Sequence, residues 1–264
     1  MANFLSDTFG LENKTVLITG ASSGFGVHFA KVFAQAGCKK LCLLARRKER
    51  LDALATELEK QFKGLKVAPV ACDVASEESI ENAFNSGEKL LNGIFDVVVN
   101  NAGMAITKTA LKTTTKEYDQ VMNVNVRGCW LVAQEATKRL IAAGKKGNII
   151  NIASIYGLRV GLGHSVYATT KAALVQMTKA LATEYIRFGV RVNCINPGYF
   201  LTEINSDYYS SDKGKKYIQT NMPMKRLGEL DELNGALILL ASDASRFMTG
   251  SIVVVDGGHV ISSL

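Results

Sequence analysis

The sequence predicts a single-domain α/β fold with one doubly wound parallel sheet of about seven strands and helices on both faces. Short apolar runs alternate with helical stretches along the whole chain. Apolar strands in such an alternation pair in parallel, and helices cover both faces of their sheet. The 264 residues suit one Rossmann-type domain over 1–264. Its ligand is expected beyond the carboxyl ends of the strands.

Turn and capping residues set the boundaries of the predicted elements. Gly37 stops the first helix, and Ser76 opens the third, with Glu77 and Glu78 in its first turn. The predicted strands cover residues 14–19, 40–45, 66–72, 95–100, 147–153, 190–196 and 251–255. The other predicted helices cover residues 24–36, 47–62, 115–143, 165–188 and 229–242.

Composition and charge exclude several classes of protein. No run of about 18 apolar residues occurs, and the N-terminus lacks the apolar core of a secretory signal, so we expect no membrane partner. The net charge of +7 comes from basic residues spread along the chain, which predicts a diffuse basic surface and no nucleic-acid partner. Five cysteines, mostly flanked by apolar residues, predict reduced thiols, a cytoplasmic location and no metal site.

A Gly-rich turn follows the first strand and opens the first helix. Small residues there let the backbone turn tightly, so that a pyrophosphate can approach the helix N-terminus, where free amides and the helix dipole favour an anion. This position in the fold predicts dinucleotide binding. The candidate cofactor-binding residues of the turn are Gly20, Ser22, Ser23, Gly24, Phe25 and Gly26.

The end of the second strand predicts which dinucleotide is bound. An acid there hydrogen-bonds the ribose 2′-hydroxyl, whereas an arginine accommodates a 2′-phosphate. This strand ends in Ala45, followed by Arg46, Arg47 and Lys48. Three cations at a helix N-terminus are disfavoured by the dipole, and an anionic partner would offset that cost. The sequence therefore predicts NADP(H), with NAD(H) less favoured, bound by Arg46 and Arg47.

The spacing Gly20-x3-Gly24-x-Gly26 resembles the TGxxxGxG motif of the short-chain dehydrogenase/reductase family. The resemblance runs from about Leu11 to Gly258 and includes an NNAG motif at the end of the fourth strand. Phe25 departs from the family's commoner isoleucine. The resemblance implies that Asp73 and Val74 contact the adenine. It also implies that the NNAG residues Asn101, Ala102 and Gly103 line the cofactor site, and that the nicotinamide is held by Pro197, Gly198 and Thr202.

Four polar residues resemble the family's Asn-Ser-Tyr-Lys tetrad. Tyr167 and Lys171 are four apart and share a helix face. Tyr167 would exchange a proton with the substrate oxygen. The Lys171 ammonium would favour the phenolate form of Tyr167 and would hold the nicotinamide ribose. Both residues are therefore expected to contact the cofactor as well. Ser154 would donate a hydrogen bond to that oxygen, and Asn125, within helix 115–143, would hold a water.

The resulting prediction is an NADPH-dependent carbonyl reductase or alcohol dehydrogenase acting on a ketone or secondary alcohol. Residues 199–226 form a long aromatic segment, which predicts a substrate-binding loop or lid. Apolar side chains in 155–162 predict a mainly apolar pocket and a preference for small or medium ketones. The candidate substrate-binding residues are Ser154, Tyr156, Leu162 and Tyr199.

Several alternatives remain open. Within the family these are a 3-oxoacyl-carrier-protein reductase and a gluconate-type sugar-acid dehydrogenase. A non-catalytic NADPH-binding regulator on the same fold could dispense with the tyrosine, but here all four tetrad positions are filled. A nucleic-acid binder would leave the tetrad unexplained. Helices 115–143 and 165–188 carry more apolar residues than one sheet face would cover, and with the family resemblance they predict a homotetramer or, failing that, a dimer.

Overall fold

A computed structural model of the protein describes residues 4–201 and 206–262. Its centre is one seven-stranded sheet in the order β3-β2-β1-β4-β5-β6-β7, with every neighbouring pair parallel. The predicted fold class is therefore confirmed. The strands are β1 (Thr15–Thr19), β2 (Lys40–Ala45), β3 (Lys66–Ala71), β4 (Val97–Asn100), β5 (Gly147–Ile152), β6 (Val190–Pro197) and β7 (Ile252–Val255).

Helices cover both faces of the sheet. Within the described residues they are α1 (Phe4–Phe9), α2 (Gly24–Gln35), α3 (Lys48–Gln61), α4 (Glu77–Leu91), α5 (Thr115–Met122), α6 (Cys129–Ala142), α7 (Ser165–Tyr185), α8 (Ser206–Ser210), α9 (Asp212–Asn221) and α10 (Asn234–Ala241). As predicted, Ser76 caps α4, because its side chain accepts a hydrogen bond from the Ser79 N–H. None of the helices in these ranges is long and apolar enough to cross a membrane.

Alternate residues of the central strands enter two separate hydrophobic cores. Val16 and Ile18 of β1 join the core built with α2, α3 and α10. Leu17 points to the other core, which is built with α4, α6 and α7. Successive strand side chains point to opposite faces of a sheet, so strands covered on both faces are apolar throughout. Because both faces of the sheet are covered by helices, a ligand can approach the sheet at the carboxyl ends of its strands.

The predicted helix over 115–143 differs in one way that bears on the site. It consists of α5 and α6 joined by a π-helical segment, Asn123–Gly128. Single π-helical turns inside α-helices are frequent at functional sites, and Asn125 lies in this one. Gly128 is required there, because a Cβ atom would lie 2.8 Å from the Val74 carbonyl oxygen.

Other boundaries differ from prediction at the ends of elements. The predicted helix 229–242 begins as a 3-10 turn, Leu230–Leu233, and the predicted helix 165–188 ends as one, Ile186–Phe188. Helix α1 was not predicted; the Gly10 N–H bonds back to the Ser6 carbonyl at its end. The segment predicted as a loop or lid contains α8 and α9.

Candidate active site

The Gly-rich turn between β1 and α2 has no room for side chains at two of its glycines. Gly20 has φ +69°, in the left-handed region that favours glycine. A Cβ atom on Gly26 would lie 2.3 Å from the Gly20 carbonyl oxygen and 2.8 Å from Asn101 Nδ2. Backbone packed this closely at a helix N-terminus fits a pyrophosphate, and the turn residues are therefore suited to a dinucleotide.

The side chain of Arg47 lies across this turn. Its Nη2 donates hydrogen bonds of 3.0 Å to the hydroxyls of both Ser22 and Ser23. Ser23 is the N-cap residue of α2, yet its side chain caps no backbone N–H. The turn thus presents a fixed cation and two hydroxyls beside the positive end of a helix, which is a chemistry suited to phosphate groups.

Arg46 lies on the neighbouring side, at a cavity of about 500 Å³ between the ends of the strands and α5. Asp73 lines the same cavity and also caps its own loop, because its Oδ1 accepts a hydrogen bond of 3.0 Å from the Ala75 N–H. Val74 is buried. The residues lining the cavity are Arg46, Asp73, Ala75, Lys116, Asp119, Gln120, Asn123 and Val124.

The end of β4 is hydrogen-bonded to the Gly-rich turn. The N–H groups of Asn101 and Ala102 each donate a 3.0 Å hydrogen bond to Thr19 Oγ1. Asn101 Nδ2 also donates to the carbonyls of Thr19 at 2.9 Å and Gly20 at 3.2 Å. The NNAG stretch therefore holds the turn in shape, and Gly103 beyond it approaches Asn125 and Lys171.

Asn125 is fully buried and binds the chain just past the NNAG stretch. Its Oδ1 accepts from the Met104 N–H, and its Nδ2 donates to the Met104 carbonyl, both at 2.8 Å. Nδ2 also donates to Thr170 Oγ1 at 3.1 Å. Asn125 thereby joins the π-helical segment, the β4 loop and the helix that carries Tyr167.

Tyr167 and Lys171 share one face of α7, as their spacing predicts. Lys171 is 4% exposed, and its Nζ donates a 2.9 Å hydrogen bond to the Ile152 carbonyl at the end of β5. The same Nζ lies 5.5 Å from the centre of the Tyr167 ring. Ser154 follows β5 and is also buried, with Oγ accepting from the Tyr156 N–H at 3.2 Å.

A row of three tyrosines begins beside this group. The Tyr156 ring packs edge-on against Tyr167, with centroids 6.0 Å apart. The Tyr156 hydroxyl lies 2.7 Å from that of Tyr199, which lies 3.2 Å from that of Tyr217 in α9. Burial raises the pKa of Tyr156 and, more strongly, the pKa of Tyr199, whose two hydrogen bonds add to the effect. Tyr156 and Tyr199 are thus brought together as predicted substrate-binding residues.

The remaining predicted residues are placed differently. Gly198, after Pro197, packs tightly, since a Cβ atom there would lie 2.7 Å from Asp256 Cα. Thr202 lies outside the described residues. Leu162 is 93% exposed, so its side chain faces solvent rather than the tyrosines.

Other members of the expected apolar pocket also lie elsewhere. Val160 is 84% exposed, and Ile155 is buried. Leu158 is 45% exposed. The apolar side chains of residues 155–162 are therefore divided between the interior and the solvent, and the ring that packs against Tyr167 from this loop is that of Tyr156.

Some residues of the site were missed in the sequence. Thr19 holds the NNAG backbone, and Met104 pairs with Asn125 through backbone atoms, which carry no sequence signal. His259 is buried, and its ring stacks on Tyr199 with centroids 5.3 Å apart. Arg159 Nη1 donates a hydrogen bond to the His259 carbonyl. The histidine itself was the available signal at this position, because its burial depends on contacts that a sequence does not show.

Comparisons with known proteins show the family to which the chain belongs. A family model described as enoyl-(acyl carrier protein) reductase matches residues 20–260. The gluconate 5-dehydrogenase of Gluconobacter oxydans is 32% identical, with 97% of this chain and 98% of the relative covered. The 3-oxoacyl-acyl-carrier-protein reductase of Thermotoga maritima is 36% identical, with 95% and 99% covered.

A solved structure of a related enzyme has the same fold. The gluconate 5-dehydrogenase from Burkholderia cenocepacia, crystallised with NADP and tartrate, superposes with a TM-score of 0.91 at 32% identity, with 97% of this chain and 99% of that chain covered. The chain belongs to the short-chain dehydrogenase/reductase family. It is therefore an oxidoreductase acting on alcohol and ketone groups, as the sequence predicted.

Proposed function

We propose that this protein is an NADPH-dependent carbonyl reductase, or alcohol dehydrogenase in the reverse direction, with Tyr167 as its general acid and base. The observation that carries the proposal is the buried Lys171 ammonium 5.5 Å from the Tyr167 ring. When bound, the nicotinamide supplies or accepts the hydride. Tyr167 donates the proton to the carbonyl oxygen in reduction and takes it from the alcohol in oxidation, while Ser154 hydrogen-bonds that oxygen.

Two arginines support NADP(H) over NAD(H). Arg47 is fixed over the hydroxyls of Ser22 and Ser23, and Arg46 lines the cavity beside Asp73. Ala45 offers no carboxylate to repel a 2′-phosphate. The related gluconate 5-dehydrogenase was solved with NADP. We assign the 2′-phosphate to Arg46 and Arg47 together, the adenine to Asp73 and Val74, and the nicotinamide end to Pro197, Gly198 and Thr202.

The relatives leave two alternatives within the family. One is a gluconate-type sugar-acid dehydrogenase and the other a 3-oxoacyl-carrier-protein reductase, and relatives with both names cover nearly the whole chain. The polar ring cluster around Tyr156 favours the first of these alternatives, because it replaces the apolar pocket that we expected. Residues 199–226 form the proposed lid, since Tyr217 of α9 joins Tyr199 by a hydrogen bond.

Assembly and location complete the proposal. Trp130 of α6 is 40% exposed, and Tyr118 of α5 and Ile141 of α6 are also exposed. Large apolar side chains on one helical layer suit a subunit interface, and we propose a homotetramer that packs through these helices. The five cysteines are free and buried, which supports a cytoplasmic location.

The proposal is tested by following NADPH oxidation with the purified protein and a panel of ketones, acyl thioesters and keto sugar acids. We expect turnover with at least one class of carbonyl compound and faster turnover with NADPH than with NADH. Binding of NADPH without oxidation on any member of the panel would instead indicate a cofactor-binding regulator.

A further inference from the structure

The three tyrosine hydroxyls form a chain with one donor to spare. Tyr156, Tyr199 and Tyr217 each carry one O–H proton, and the two contacts of 2.7 and 3.2 Å use two of them. Because burial raises the pKa of Tyr156 and Tyr199, these phenols keep their protons at neutral pH. Whichever way the bonds run, one O–H remains to donate to an outside acceptor.

This chain of hydroxyls lies beside the reacting group. Tyr156 packs against the Tyr167 ring and comes two residues after Ser154, whose hydroxyl caps the turn that carries it. Tyr199 comes two residues after Pro197, the last residue of β6. Both positions lie at the carboxyl edge of the parallel sheet, where ligands of doubly wound folds bind. When the bonds run from Tyr217 through Tyr199 to Tyr156, the spare donor is the Tyr156 hydroxyl, which belongs to the ring that packs against Tyr167.

The ring next to Tyr156 carries an unpaired polar atom of its own. The His164 ring is 4.8 Å from the Tyr156 ring, and its Nδ1 is buried without a hydrogen-bond partner among the described residues. Buried polar atoms left unpaired cost free energy. A polar ligand that meets both the spare phenol and this nitrogen would remove that cost, whereas an apolar ligand would not.

We propose that Tyr156, Tyr199 and Tyr217 recognise a hydroxyl group next to the substrate carbonyl, so that the preferred substrates are polyhydroxylated carbonyl compounds such as ketoses or keto sugar acids. This inference rests on the proposed carbonyl reductase function and names the substrate class of that site. It replaces the preference for simple ketones that the apolar residues 155–162 had suggested, because Val160 and Leu162 face solvent and Ile155 lies in the interior.

The expected discrimination follows from the chemistry of buried hydrogen bonds. A site that hydrogen-bonds a substrate hydroxyl rejects the analogue lacking it, because its own polar groups are then buried unpaired. The three hydroxyls act as one hydrogen-bonded chain, and that of Tyr217 is the one farthest along the chain from Tyr167. Its removal weakens the chain and leaves the packing of Tyr156 against Tyr167 unchanged. Tyr217→Phe is therefore the variant least disturbing to the fold.

The test compares a ketose with a straight-chain ketone of the same carbon number, here fructose and a hexanone, using NADPH. Tyr156→Phe and Tyr217→Phe are measured beside the control Tyr185→Phe, at the far end of α7 and about 27 Å from Tyr167 at 1.5 Å per residue. We expect the wild type to prefer the ketose. Each site variant should lose about tenfold in kcat/KM for the ketose, the size of one neutral hydrogen bond.

The loss should appear mainly in KM, and kcat/KM should fall clearly more for the ketose than for the hexanone. In the control Tyr185→Phe, kcat/KM for both substrates should stay within about twofold of the wild-type value. If the wild type reduces the hexanone as well as the ketose, or if the site variants lose both equally, the hydroxyl-recognition proposal is wrong while the reductase function stands. If the wild type binds NADPH but reduces neither compound nor any other carbonyl, the proposed function itself fails.

Discussion

The Lys171 ammonium lies 5.5 Å from the centre of the Tyr167 ring and is held there by a 2.9 Å hydrogen bond to the end of β5. Tyr167→Phe keeps this packing and removes only the hydroxyl. We expect turnover to fall by about 10²–10⁴-fold, the usual contribution of general acid catalysis, while the affinity for NADPH, measured by titration calorimetry, stays near the wild-type value. Near-normal turnover in Tyr167→Phe would assign the proton to another group.

Arg46 and Arg47 should determine the choice of cofactor. Losing a charge-assisted hydrogen bond costs about 1.5–3 kcal/mol, which is roughly tenfold or more in affinity. Arg46→Ala and Arg47→Ala should each lower kcat/KM for NADPH by about that factor and leave NADH nearly unchanged. Ala45→Asp should shift the preference toward NADH. Arg50→Ala, an exposed arginine farther along α3, is the control, and equal losses with both cofactors would contradict this assignment.

Gly26 should tolerate no side chain. In Gly26→Ala the new Cβ would meet the Gly20 carbonyl at 2.3 Å, and this neighbour is backbone that cannot move aside. We expect a lower melting temperature and loss of the stabilisation that NADPH gives to the wild type. Gly235→Ala in α10 has no atom within 4 Å of the new Cβ and should be neutral or slightly stabilising. Equal melting curves for the two variants would show that the turn is looser than described.

Acid should destabilise the protein partly through His259 and His164. Burial lowers the pKa of both, and Arg159 lowers that of His259 further, against a weaker opposite effect of Asp256. The unfolded chain binds these protons near pH 6.5, and the folded chain only at lower pH. The unfolded state therefore holds more protons in that window, and the free energy of unfolding falls as the pH drops below about 6.5.

Urea unfolding at about pH 7.5 and about pH 5.5 measures this effect. His259→Gln should reduce the loss of stability between the two values. His28→Gln, which removes a half-buried histidine bonded to Asn234, should keep the wild-type loss. An undiminished loss in His259→Gln would show that other groups cause the acid sensitivity.

The proposed tetramer predicts a light-scattering mass near four times the 28.5 kDa of one chain. Trp130→Arg places a charge on the exposed apolar surface of α6 and should yield dimers or monomers, because an unpaired charge is costly to bury at an interface. Leu90→Arg, on an exposed part of α4, is the control for a change of charge alone. A mass near 28.5 kDa for the wild type would contradict the tetramer.

Local patterns were sufficient to predict most of the fold. The strand β2 has the predicted bounds, and Ser76 caps α4 as expected, because both depend on neighbouring residues. The π-helical segment at Asn123–Gly128 was not predicted, since a helical pattern hides one inserted residue. The sequence predicts a loop where α8 and α9 form, because polar and aromatic residues dominate this segment.

The parts of the site that depend on distant residues were harder to predict. The turn, Tyr167 and Lys171 were identified from spacing. The chain of hydroxyls from Tyr156 through Tyr199 to Tyr217, 61 positions after Tyr156, depends on how α9 packs and leaves no periodic signal. The sequence places Ile155 in an apolar pocket because its side chain is apolar. Its actual orientation, toward the interior, depends on the turn that Ser154 caps.

The bonds between Thr19 and Asn101 join residues 82 positions apart in the chain. Closing a segment of that length costs conformational entropy that grows with the logarithm of its length, and long-range pairing slows folding. The strands β1 and β2 and their helices can pack together early in folding. The hydrogen bonds from Asn101 that hold the Gly-rich turn can form only after β4 has paired with β1. Early compact forms of the chain therefore have no nucleotide site, and a dinucleotide stabilises the protein only after this pairing is complete.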